Sequence, residues 1–161
     1  VSQERKVITV SVGLYVTTRP MPGHEGALPA GRLVRLNRSA EQNLPVLFLP
    51  SRQHDNRWDF QERGFIVRDF DYLASLQGRL PEGYYVLRQT VHLSDEQIIP
   101  KCTLVQLGYS RGGRPVLYVA RFQGSSITFA GAGHRFSDEI LQMLEPATFL
   151  APVPQEERHL H

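Results

Sequence analysis

The chain has 161 residues, 41% of them hydrophobic, and a formal net charge of +2. That is enough apolar side chain for a core and too little net charge for a disordered chain, in one ordinary domain or two small ones. No apolar run approaches the roughly 18 residues of a membrane helix. The single cysteine, Cys102, excludes an internal disulfide framework or a multi-cysteine zinc site and fits a reducing, cytoplasmic setting.

Val1 to Val12 carries neither the apolar block nor the small-residue cleavage site of a signal peptide. Its alternation predicts a first strand with Ile8, Val10, Val12 and Leu14 facing the core, opposite Thr9, Ser11 and Gly13. Arg19 to Gly26 is rich in proline and glycine and reads as a loop. A second strand starts near Pro29, with Leu33 and Val34 adjacent, so that periodicity leaves its buried face open. A turn over Asn37 to Leu44 leads to the apolar strand Pro45-Val46-Leu47-Phe48-Leu49, whose proline must open it. Trp58-Asp59-Phe60 reads as a further strand, and a turn containing Gly64 follows. Asp69 suits the N-cap of a short helix carrying Tyr72, Leu73 and Leu76.

The same order then recurs. Gly13, Tyr15 and Val16 match Gly83, Tyr85 and Val86, 70 residues on, and Pro29-Ala-Gly-Arg-Leu-Val-Arg-Leu36 matches Pro100-Lys-Cys-Thr-Leu-Val-Gln-Leu107 at 71. Pro45 to Leu49 matches Pro115 to Val119 at 70; Phe60, Gly64 and Asp69 match Phe129, Gly133 and Asp138 at 69; Leu73 and Leu76 match Leu141 and Leu144 at 68. The spacing drifts one residue at a time, each time in a predicted loop, which is how a duplicated unit diverges. In the second copy Tyr85, Leu87, Gln89, Val91 and Leu93 form the apolar face of one strand. Cys102 lies in an apolar strand and reads as a small core residue. Gly112-Gly113 supplies the tip of a hairpin, because glycine adopts positive φ without steric cost. Ser137 is the expected cap of a closing helix with Ile140, Leu141 and Leu144 on its apolar stripe.

The predicted fold is therefore mainly β: two tandem, pseudo-symmetric small β-barrel units, each closed by a short helix. In architecture each resembles an SH3-like barrel; no family motif accompanies the resemblance. The expected units are residues 1–79 and 80–153, with 154–161 as a mobile tail.

No catalytic, metal or cofactor residue is predicted. The six histidines form no HExxH pattern, and the only close pair is His159 and His161. Gly124-Ser125-Ser126 lacks the glycine of a nucleophile elbow, and Ala130 to Arg135 lacks the third glycine of a dinucleotide loop. Asp69 and Asp138 have a sufficient role as helix-start acids. The expectation is a non-enzymatic protein-interaction or assembly module with no membrane contact. Two alternatives stand beside it: a nucleic-acid-binding accessory protein, and an enzyme with a site at the junction of the copies. Sixteen arginines against two lysines, interleaved with acids, make the surface mixed rather than basic. The candidate binding residues are Arg57, Trp58, Arg111, Arg114, Arg121 and Arg135, on arginine-rich strands and turns beside aromatic residues.

Overall fold

A computed structural model describes residues 10–129 and 131–148. The chain divides into two units: residues 1–81 with 109–114, and residues 82–108 with 115–161. The segment Tyr109–Arg114 thus groups with the first unit, although in sequence it lies between the two stretches that make up the second.

The first unit carries β1 (Gly13–Val16), β2 (Leu33–Arg38), β3 (Pro45–Phe48), β4 (Pro50–His54), β5 (Arg57–Phe60), β6 (Phe65–Ile66), helix α1 (Phe70–Ser75) and β7 (Gln77–Arg79). Five of these strands form one antiparallel sheet in the order β6-β3-β2-β1-β7, and β4 and β5 stand apart as a two-stranded hairpin. The registers set Tyr15 opposite Val34, Leu36 opposite Leu47 and Leu47 opposite Phe65. Pro50 separates the hairpin from β3: it offers no N–H to continue the ladder, and the hairpin starts with a bulge between Pro50 and Arg52. Asp55 and Asn56, with φ of 50° and 64°, make its two-residue turn.

The second unit carries β8 (Gly83–Leu87), β9 (Val91–His92), β10 (Ile98–Ile99), β11 (Leu104–Tyr109, whose last residue falls in the first unit), β12 (Pro115–Val119), β13 (Arg121–Gln123), β14 (Ser126–Thr128), β15 (His134–Arg135), a 3-10 helix (Asp138–Met143) and β16 (Leu144–Pro146). Its five-stranded sheet runs β15-β12-β11-β8-β16, with β13–β14 and β9–β10 as separate hairpins. Here Tyr85 faces Val105, and Leu117 faces His134.

The fold is mainly β, but no closed barrel forms among the described residues. Each five-stranded sheet ends in two distinct edge strands, β6 and β7 or β15 and β16. These edge strands are only two or three residues long, too short to curl the sheet onto itself. The expected SH3-like closure is thereby corrected to open sheets.

Local expectations fare unevenly. Asp69 caps α1, its carboxylate accepting the Tyr72 N–H at 3.1 Å. Ser137 makes no side-chain cap, and the second helix is 3-10 rather than α, with Leu144 leaving it to open β16. The first described strand begins at Gly13: Leu14 and Val16 are buried but Val12 is 57% exposed. Ile8 and Thr9 lie outside the described residues, as do the tail 154–161 and its His159 and His161. The long strand expected from Tyr85 to Leu93 breaks after Leu87, and Gln89 is exposed. The adjacent pairs Leu33, Val34 and Leu104, Val105 are all buried, so both sheet faces are covered.

One core cluster of the first unit joins Met21, Leu28, Val34, Leu36, Leu47, Val67, Tyr72 and Leu73. α1 contributes Tyr72 and Leu73 to it, and the chain from Met21 to Leu28 forms another wall, closed by the Met21 N–H on the Leu28 carbonyl at 2.9 Å. The Tyr72 phenol is fully buried, and its oxygen has no hydrogen-bond partner among the described residues. Burial pushes its pKa above the usual phenol value, against a smaller opposite pull from Arg19, and burial alone does the same to Tyr85. A folded-state pKa above the unfolded one means stability that is full below pH about 10 and is lost as pH rises through the raised values. The melting temperature is expected to fall more steeply above pH 10 in the native chain than in Tyr72→Phe, a difference a melting series from pH 8 to 11 will measure.

Cys102 is a correction. It is exposed, in a turn, with φ of 69°. Its N–H donates to the Leu87 carbonyl at 2.9 Å, as the N–H of Gly31 (φ 76°) donates to the Thr17 carbonyl at 2.7 Å. A side chain in left-handed backbone is strained, so Cys102→Gly is expected to stabilise the fold by about 0.5–1 kcal/mol, read from urea unfolding.

Candidate functional site

Among the six predicted binding residues, the structure brings Trp58 and Arg111 together. Trp58 lies on β5 opposite Gln53. Its indole Nε1–H donates to the Tyr109 carbonyl at 2.7 Å, and the Arg111 guanidinium sits over its ring, 5.0 Å from the centroid. Such a stacked cation gains about 0.5–1 kcal/mol at an exposed site. The segment carrying Arg111 is fixed at several points within the first unit. The Leu33 N–H donates to the Arg111 carbonyl at 2.9 Å, Arg79 Nε donates to the Gly113 carbonyl at 3.2 Å, and the Tyr109 hydroxyl donates to the Leu80 carbonyl at 2.7 Å. Gly113, at φ 81°, turns the chain where only a glycine fits beside Val16.

Arg57 is exposed on β5, opposite His54. Arg114 is exposed, and its backbone closes the 110–114 turn: its carbonyl accepts the Ser110 N–H at 2.9 Å and its N–H donates to the Ser110 hydroxyl at 3.0 Å. In the second unit Arg121 lies on β13 with its guanidinium beside Gly131, and Arg135 is exposed on β15 opposite Val116.

The six candidates leave out Arg32 and Arg35, two of the arginines that the sequence interleaves with aromatic residues, and Gln61 was missed altogether. Arg35 lies over the Phe60 ring at 4.5 Å, a second stacked guanidinium on the same unit. Arg32, Gln61 and Arg111, with Ala27, Leu49 and Pro50, line a recess of about 180 Å³. The signal available was the interleaving of arginine with aromatic residues, but which arginine meets which ring is set by pairing between distant segments. Phe65, also in this unit, packs edge-on against His24 with ring centres 4.9 Å apart.

The second unit holds a wider groove of about 460 Å³ lined by Leu93, Gln97, Ile98, Pro100, Val119 and His134 among others. Its free-standing β13–β14 hairpin sets Phe122 directly opposite Ile127, and these side chains are 70% and 38% exposed. Among the described residues no group of three His, Cys, Asp or Glu side chains is placed to hold a metal ion, and no helix is long and apolar enough to cross a membrane. No family model, no curated protein and no solved structure matches the chain.

Proposed function

We propose that the chain is a protein-interaction module, non-enzymatic, built from two copies of one open-sheet unit. The observation that carries the binding role is the Phe122–Ile127 pair. A two-stranded hairpin is marginal by itself in water, and an aromatic–aliphatic pair held out on one is apolar surface with a use. Two-residue edge strands at β6 and β15 add backbone groups that an extended partner segment can pair with.

The duplication is supported by register. Tyr15 on Val34 and Tyr85 on Val105, Val46 on Ile66 and Val116 on Arg135, and Val16 on Gln77 and Val86 on Glu145 are the same pairings under the sequence spacings of 68 to 71. Both sheets also share one strand order once the strands are matched in sequence.

A protein partner is favoured over nucleic acid because two first-unit rings that a base would stack on, set among arginines, each already carry a guanidinium on one face. Arg111 covers Trp58 and Arg35 covers Phe60. A single exposed thiol suits a reducing compartment, in keeping with a cytoplasmic protein.

The test is affinity capture with the full chain and with Phe122→Ser, which at an exposed site should leave stability within about 0.5 kcal/mol. The native chain is expected to retain a partner that the variant loses. Equal retention by both removes the hairpin from the reading. Retention on single-stranded nucleic acid that weakens with salt replaces it with the nucleic-acid alternative.

A further inference from the structure

The geometry points to an oxyanion site in the first unit, formed by the guanidinium groups of Arg32 and Arg111 and taking a phosphate or phosphoryl group. It stands independently of the partner-binding hairpin and of the duplication.

Two cations line a single recess of about 180 Å³. Among the described residues no carboxylate lies within ion-pair distance of either arginine, although the unit has acids to spare. Three of those acids are engaged elsewhere: Asp59 with Arg52 at 3.5 Å, Glu25 with the Gly23 N–H at 3.0 Å, and Asp69 with the Tyr72 N–H. Like charges drawn to one small recess repel, and an anion between them turns that repulsion into attraction.

Both arginines are held in place before any ligand arrives. Arg111 is stacked on Trp58, and its carbonyl is tied to the Leu33 N–H. Arg32 is anchored by Thr17, a polar side chain only 1% exposed. The Thr17 hydroxyl accepts the Arg32 N–H at 2.9 Å and donates to the Pro29 carbonyl at 2.7 Å, while the Thr17 N–H donates to the Arg32 carbonyl at 2.9 Å. Fixing the Arg32 backbone on both sides removes backbone freedom that would otherwise be lost on binding.

The remaining lining matches an anion. Leu49 and the buried Pro50 exclude water on one side, which strengthens any charge pairing made there. Gln61 adds a neutral amide donor, and its own backbone is tied to the Leu49 carbonyl at 2.9 Å. A planar carboxylate is satisfied by one guanidinium fork. Two forks carried on separate segments suit a tetrahedral group that presents oxygens in several directions.

Trp58 is the chain's one tryptophan and lies beneath Arg111, so its emission reports on that arginine and, through it, on the recess. The full chain is titrated with inorganic phosphate at constant ionic strength, with chloride and acetate in parallel. A saturable change with phosphate is expected. Arg32→Gln should weaken it by about tenfold or more, since a charge-assisted pair is lost. Arg32→Lys should weaken it less, and Arg114→Gln, outside the recess, should leave it unchanged. Melting curves confirm that each variant is folded. A phosphoserine peptide that binds more tightly than inorganic phosphate assigns the group to a polypeptide, and equal binding assigns a free anion. No saturable response, an equal response to chloride, or one unaltered in Arg32→Gln overturns the site. An acetate response equal to that of phosphate overturns the phosphoryl assignment.

Discussion

Gly113→Ala is expected to destabilise the protein by about 3 kcal/mol. Two effects add. At φ 81° an alanine is forced into left-handed backbone, at about 1–2 kcal/mol. Its methyl carbon would also lie 2.2 Å from Val16 Cγ2 and 3.3 Å from two further carbons of the same side chain. Val16 is buried and sits on β1, paired on both sides, so it has little room to yield. Overpacking of this kind costs about 1–3 kcal/mol. Gly124→Ala separates the two effects: its φ is 60°, and nothing lies within 4 Å of the added carbon. It should cost only the backbone strain. Urea unfolding of both variants measures the difference, which should appear in the midpoint with an unchanged slope. Equal losses would mean that the 109–114 segment is not seated against Val16.

Gly64→Ala and Gly133→Ala are expected to lose about 2 kcal/mol each, by crowding alone. Neither glycine has positive φ. A carbon added at Gly64 would lie 2.6 Å from both the Leu47 carbonyl oxygen and Val46 Cγ1, and 3.0 Å from Phe48. At Gly133 it would lie 2.3 Å from Val116 Cγ1 and 2.8 Å from the Tyr118 ring. The obstructing side chains are Val46 and Phe48 in one case and Val116 and Tyr118 in the other, the same pair of positions under the sequence repeat. Similar losses, each within the overpacking range, are what two copies of one unit require. A large loss at one glycine and none at the other would speak against the duplication. Thermal unfolding of the two single variants and the double variant decides it, since independent sites should add.

The central strands were legible because they are apolar and long enough to show it. Pro45 to Phe48 and Pro115 to Val119 announce themselves as buried strands opened by a proline. The closing strands were not. Gln77-Gly78-Arg79 and Leu144-Glu145-Pro146 have no alternation and little β propensity, and they exist because β1 and β8 offer a free edge. Cys102 was misread by residue type, since its position is decided by a turn that also suits Gly31. In the candidate site, Trp58 and Arg111 were each nameable, but their meeting depends on a segment 51 residues further along supplying the Tyr109 carbonyl. Arg32 carries no local mark at all. It becomes notable only when Thr17, Pro50 and Arg111 are placed around it.

The membership of Tyr109–Arg114 in the first unit has a consequence for how the chain is made. A nascent polypeptide that has left the ribosome only as far as Pro81 has every strand and the helix of its first sheet but lacks the piece that meets Trp58, Leu33, Arg79 and Leu80. Completion must wait until the second unit's first strands have been synthesised. Contacts at such long sequence separation slow folding and lengthen the time in which strand edges are bare. A gene cut at the apparent seam after Pro81 would therefore encode a first half missing part of its own fold.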